Sequence, residues 1–144
     1  EHPSLKKIIL ADEDWNRNLM LKVFKAGGAR LFQDSDFVTL KSQEMIDSDL
    51  EFVEKFGKLK FLGLDGNQIN GIGLKQLGKC KNLSYLSLSN NPIDDNGLKN
   101  LKYLPKLKQL MLIKTNVTSK GISSLKLRYW LRNPFNKLEI KTII

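Results

Sequence analysis

Leu59-x-x-Leu62-x-Leu64-x-x-Asn67-x-Ile69 returns 24 residues later as Leu83-x-x-Leu86-x-Leu88-x-x-Asn91-x-Ile93. A second step of the same length brings Leu107-x-x-Leu110-x-Leu112-x-x-Thr115-x-Val117. Gly73-Leu74, Gly97-Leu98 and Gly121-Ile122 keep the same phase. Such phase-locked copies imply one supersecondary unit stacked on itself, because a single copy cannot bury its own apolar face. Leu62 and Leu64 have the two-residue spacing of a strand, and Leu74 with Leu77 the spacing of a helix.

This is the leucine-rich-repeat pattern, in which each unit is a strand followed by a helix or tight turn. The fold class it predicts is α/β: a short solenoid of parallel strands plus helices. Neighbouring strands stand about 4.8 Å apart, so the leucines of successive units form one continuous core. Asn67 and Asn91 are expected to close the turn after the strand, since an amide both donates and accepts. Thr115 does this less completely, which predicts a looser third turn. Pro92 fits a turn where no ladder donor is required.

Twenty-four residues upstream the register still holds. Val38 and Leu40 take the core strand positions, with Met45, Leu50 and Val53 after them and Gln43 in place of the Asn. Phe37 to Ser42 is therefore an atypical first strand. Downstream, Lys126 to Asn136 lengthens the last unit before Leu138-Glu139-Ile140 resumes the strand pattern. Trp130, Leu131 and Phe135 are expected to shield that final strand. Five parallel strands result, four closely spaced and one closing.

Residues 1–34 do not follow the repeat. Lys7 to Leu10 is a short apolar run, and Asp12-Glu13-Asp14 precedes a helical stripe of Leu19, Val23 and Phe24. Acids ahead of a helix and Lys25 near its end complement the dipole, and Gly27-Gly28 stops it. The chain thus divides into an N-terminal helical cap, 1–34, and leucine-rich repeats with a stretched closing unit, 35–144. Such a cap covers the flank that the first strand would otherwise expose.

At 144 residues the chain fits one domain with a real core. No apolar run reaches the roughly 20 residues that span a bilayer. The single cysteine, Cys80, excludes an internal disulfide framework and suits a reducing compartment. The sequence opens at Glu1 without a methionine, so an upstream piece that would carry any targeting peptide is expected to have been removed or left out. Residues 99–144 hold eleven Lys or Arg against Glu139 alone, so the net charge of +9 belongs to the C-terminal third. That field favours an acidic partner: an anionic lipid surface, a nucleic acid or an acidic protein. The basic surface assigned to it is Lys114, Lys126, Arg128, Arg132, Lys137 and Lys141.

Alternation along the strands leaves three columns on the open face. They read Phe37, Phe61, Tyr85, Gln109; then Thr39, Gly63, Ser87, Met111; then Lys41, Asp65, Ser89, Ile113. Three aligned aromatics beside small residues suit a docking strip, because aromatics anchor interfaces. The competing reading is cross-strand stacking that only stabilises the sheet. The strand face of a solenoid is its usual binding surface, so docking is preferred. The partner-binding set is Phe37, Phe61, Tyr85, Gln109 and the exposed apolar pair Met111 and Ile113.

Little in the sequence points to catalysis. The sole histidine is His2, and no His/Cys/carboxylate spacing suggests zinc. Gly63, Gly66, Gly71 and Gly73 lack the Gly-Lys-Ser/Thr of a phosphate loop. Asp94-Asp95 is expected to cap the following helix, and Cys80 to be half-buried and inert. Neither enzyme activity nor a cofactor or metal is expected.

The ends carry a family resemblance. Asn16-Arg17, followed by Val23-Phe24-Lys25-Ala26-Gly27-Gly28-Ala29-Arg30-Leu31-Phe32, resembles the N-terminal module of mitochondrial coupling factor B (ATP synthase subunit s) and of the related distal membrane-arm assembly factor of complex I. Pro134-Phe135-Asn136-Lys137-Leu138-Glu139-Ile140-Lys141 is similar to that family's closing segment. Departures are Asn16 for an Asp, Trp15 for a Pro, and the absence of paired thiols. The resemblance implies a non-catalytic accessory subunit or assembly factor on the matrix side of the mitochondrial inner membrane. Its partners would be protein subunits of a membrane complex, ATP synthase or complex I, with anionic lipid headgroups as a further candidate. The alternatives are a non-mitochondrial repeat adaptor, such as a substrate-recognition module or bacterial effector, and an RNA-associated repeat protein, with nucleic acid the less favoured partner.

Overall fold

The computed structural model describes residues 7–9 (backbone), 18, 21, 22, 25, 35–42 and 44–143. They form one parallel sheet whose spatial order follows the chain: β1 (Lys7–Ile9), β2 (Phe37–Thr39), β3 (Phe61–Gly63), β4 (Tyr85–Ser87), β5 (Gln109–Met111) and β6 (Glu139–Lys141). Phe37, Phe61, Tyr85 and Gln109 are in register, as are Val38, Leu62, Leu86 and Leu110. The 24-residue echo is thus the pairing register itself.

The described sheet has six strands rather than five. The extra one, β1, pairs with β2 from within the segment assigned to the cap, Lys7 facing Phe37. A three-residue strand has no periodicity to show; what makes it one is the unpaired edge of β2, which needs covering. Asn18, Leu21, Lys22 and Lys25 are helical, and Leu21 packs on the core. The remainder of the expected cap helix (Leu19, Val23, Phe24, Gly27-Gly28) lies outside the described residues, as do Gln43, His2 and Asp12 to Asp14.

Val38, Leu40, Met45, Leu50 and Val53 are buried as the extended register requires, and Leu62, Leu64, Leu86 and Leu88 have no exposure at all. A second layer covers the strands. It comprises 3-10 helices Asp47–Lys55 and Ile72–Lys79, a short α-helix Asp95–Leu98, and the 14-residue α-helix Ser119–Arg132. Two of the tight units use the narrower 3-10 form and the third only a single α-turn. Only the lengthened last unit, where Gln109 pairs with Glu139, leaves room for a long α-helix.

The repeated glycines are where these helices touch. A Cβ on Gly97 would lie 2.1 Å from Asn70 O, and one on Gly73 would lie 2.3 Å from Asp47 O. Neither distance admits a side chain. The turns after β2, β3, β4 and β5 each hold a residue of left-handed conformation three positions past the strand: Ser42, Gly66, Asn90 and Lys114, with φ of 53°, 70°, 55° and 55°.

Asn67 and Asn91 close their turns by bridging two units. Asn91 Nδ2 donates to Leu64 O at 2.9 Å and Leu88 O at 3.0 Å, while its Oδ1 accepts from Ile69 N at 3.1 Å. Asn67 repeats the pattern with Leu40 O, Leu64 O and Met45 N. Thr115 manages one bond, donating to Leu112 O at 2.9 Å. The third turn is therefore less tied.

Two expectations about side chains need correction. Cys80 is fully buried rather than half-buried, with its thiol 3.5 Å from Val53 O. Trp130, Leu131 and Phe135 do not shield β6; they are 59%, 67% and 93% exposed. The helix buries Ile122, Leu125 and Tyr129, and helical periodicity then turns Trp130 and Leu131 away from the sheet.

Candidate protein-docking face

The first open-face column is a ladder of stacked rings. Phe37 and Phe61 lie 4.0 Å apart between centroids and Phe61 and Tyr85 lie 4.2 Å apart, with interplanar angles of 10° and 6°. Parallel in-register strands put equivalent side chains about 4.8 Å apart, so aromatic rings at one position must meet face to face. Such pairs contribute about 0.5–1.5 kcal/mol beyond their area. All three rings remain half-buried and so present an edge to solvent. Gln109 continues the column and donates to Glu139 Oε2 at 3.1 Å. That bond, with Lys141 nearby, holds Glu139 below the usual carboxylate range.

Beside the rings, Thr39, Gly63 and Ser87 are buried and form a narrow floor. The far column is a polar network. Asp65 accepts from Ser87 Oγ and from Ser89 N, the latter at 3.1 Å, and pairs with Lys41 at 3.7 Å. Ser89 Oγ accepts from Ile113 N at 3.1 Å. Met111 and Ile113 are half-buried, so the apolar pair is less exposed than expected. The structure nevertheless brings Phe37, Phe61, Tyr85, Gln109, Met111 and Ile113 onto one surface.

The predicted basic residues are spread over several elements, although Arg128 and Arg132 line one cleft with Lys99 and Lys102. Lys114 sits in the turn after β5, Lys126 on the outer helix, and Lys141 on β6, where it pairs with Glu139 at 3.6 Å. Lys137 is exposed in the chain leading to β6. Arg128 has become structural. Its guanidinium donates to Lys99 O at 3.2 Å and Leu98 O at 3.3 Å, satisfying carbonyls at the end of the helix Asp95–Leu98. Arg132 lies 5.9 Å from the Tyr103 ring centre.

Sequence reasoning missed Asp47, which accepts from Asn70 N, Gly71 N and Gly73 N at 2.8, 3.0 and 2.7 Å. Asp94 caps its own helix through Gly97 N, but Asp95 reaches the next unit, accepting from Thr118 N at 2.7 Å and Thr118 Oγ1 at 2.6 Å. Those bonds lower the Asp95 pKa. Asp47 and Asp95 stand two repeats apart, a signal that the intervening Gly71 conceals. Burial pushes the Cys80 thiol up to about 11, so thiolate chemistry is not available to it near neutral pH. Among the described residues no cluster of three or more His, Cys, Asp or Glu could hold a metal ion. None of their helices is long and apolar enough to cross a membrane.

The fold is a short leucine-rich-repeat solenoid. Residues 57–100 match the family model for leucine rich repeats (2 copies). Among solved structures, the chain is similar to internalin C2 from Listeria monocytogenes, at 26% identity and a TM-score of 0.52 over 80% of this chain. It also shares the fold of a leucine-rich-repeat protein from Leptospira interrogans, at 23% identity and a TM-score of 0.50 over 77% of this chain. The match spans 54% of internalin C2 and 32% of the Leptospira protein. No curated protein matches the sequence.

Proposed function

We propose that the chain is a non-catalytic scaffold that captures another protein on its open sheet face. The observation that carries this reading is the aromatic ladder Phe37–Phe61–Tyr85 beside the narrow floor of Thr39, Gly63 and Ser87. Three preorganised rings offer anchor area at little entropic cost, since the stacking that holds them already exists before a partner arrives. The finer reading is an accessory subunit or assembly factor of a mitochondrial inner-membrane complex, ATP synthase or complex I, on the matrix side. Its support is the resemblance of the two ends, of which Glu139 to Lys141 form the closing strand. The second reading is a bacterial repeat adaptor, supported by the similarity to internalin C2.

The experiment is affinity capture with the Phe61→Ala, Tyr85→Ala double variant beside the unaltered chain, using mild-detergent extracts of mitochondria and, separately, of bacterial host cells. Capture lost in the variant, with the fold retained by circular dichroism, supports the ladder. Capture unchanged by the variant refutes it, and recovery of no respiratory or ATP synthase subunit refutes the mitochondrial assignment.

A further inference from the structure

The helix Ser119–Arg132 carries two apolar faces. Ile122, Leu125 and Tyr129 turn into the solenoid. Leu127, Trp130 and Leu131, three and four residues apart, form a second stripe on the far side, each more than half exposed. Phe135 follows just beyond the helix. A contiguous exposed apolar patch marks an interaction site.

Its surroundings are cationic. Lys120 and Lys126 are exposed on the same helix, and Lys102 is exposed one repeat before Lys126. The acids of the two later units of this layer are engaged in capping: Asp94 accepts from Gly97 N and Asp95 from Thr118 N, while the exposed Glu51 belongs to the first helix, Asp47–Lys55. Leucine and tryptophan flanked by lysines is the composition of helices that lie in a bilayer interface, with apolar side chains among the acyl chains and ammonium groups on anionic headgroups. Of this stripe only Trp130 could stack on a nucleic-acid base, whereas Leu127 and Leu131 offer one neither stacking nor hydrogen bonds.

We propose that Leu127, Trp130 and Leu131, with Lys120 and Lys126, dock the solenoid on an anionic lipid bilayer by interfacial seating. The stripe belongs to the helix layer, so this contact leaves the opposite sheet face free. The inference does not depend on the aromatic ladder.

The test is flotation of the full chain with unilamellar vesicles of phosphatidylcholine alone or mixed with phosphatidylglycerol, at low and raised salt. Binding is expected only to the anionic vesicles, weakening with salt, with a blue shift of Trp130 emission in a Trp15→Phe background. Trp130→Ser with Leu131→Ser, and separately Lys120→Glu with Lys126→Glu, should each lower vesicle partition about tenfold or more. Both pairs are exposed, so thermal melting should be unchanged. No binding to anionic vesicles at low salt, or binding undiminished in both doubles, overturns the proposal. So does tighter binding to single-stranded RNA than to vesicles, or a dimer that depends on the stripe.

Discussion

Asn91→Ala tests whether the turn amides hold the stack together. Asn91 is 2% exposed and makes bonds to two consecutive units. After truncation Leu64 O keeps its bond from Asn67 Nδ2 at 2.8 Å. The Ile69 amide and the Leu88 carbonyl lose the bonds that Asn91 gave them, and both residues have no exposure. An orphaned buried group costs about 1–3 kcal/mol, so two of them cost about 2–6 kcal/mol, with about 3–4 expected. Thr115→Val is the internal control: it removes one bond from a half-buried side chain and should cost about 1 kcal/mol. Urea unfolding followed by circular dichroism measures both, with the slopes compared so that a change in cooperativity is not mistaken for a change in stability. If Asn91→Ala costs no more than Thr115→Val, the amide bridges are incidental and stability resides in the leucines alone.

Other predictions follow from single contacts. Gly97→Ala should cost about 1–3 kcal/mol or more by forcing a Cβ against Asn70 O. Gly57→Ala, with nothing within 4 Å, should be neutral or stabilising by about 0.4–1 kcal/mol; paired chemical denaturation compares them. Lys114→Gly should stabilise by up to about 1 kcal/mol, because its left-handed backbone strains a residue with a Cβ; an unchanged or lower midpoint would contradict this. The Cys80 thiol keeps its proton to about 11 when folded but ionises near its ordinary 9.0 when unfolded. Its contribution is therefore complete below pH 9 and is lost between pH 9 and 11, at up to about 1.4 kcal/mol per pH unit. Stability against pH should fall less steeply over that window in Cys80→Val, and parallel curves would refute the assignment.

The aromatic ladder shows how the two readings of one column differ. Its existence was legible because Phe37, Phe61 and Tyr85 share a phase. Stacking at about 4 Å makes each ring part of the sheet's own stability, so Phe61→Ala has a folding cost as well as any cost in capture.

Whatever recurs was determined by the sequence alone: the parallel register, the leucine core, the Asn turns and the weaker bond at Thr115. Periodicity encodes a local geometry that every copy must satisfy, so each unit corroborates the others. What does not recur was decided by tertiary structure. Lys7–Ile9 became a strand because β2 offered an edge, and Arg128 turned from a surface charge into a cap because three carbonyls of the preceding unit end beside it. Trp130 and Leu131 face outward because Ile122, Leu125 and Tyr129 set the helix's rotation against the core. Those outcomes depend on which backbone groups and surfaces a neighbour leaves unsatisfied, and that information exists only once the chain has brought distant segments together.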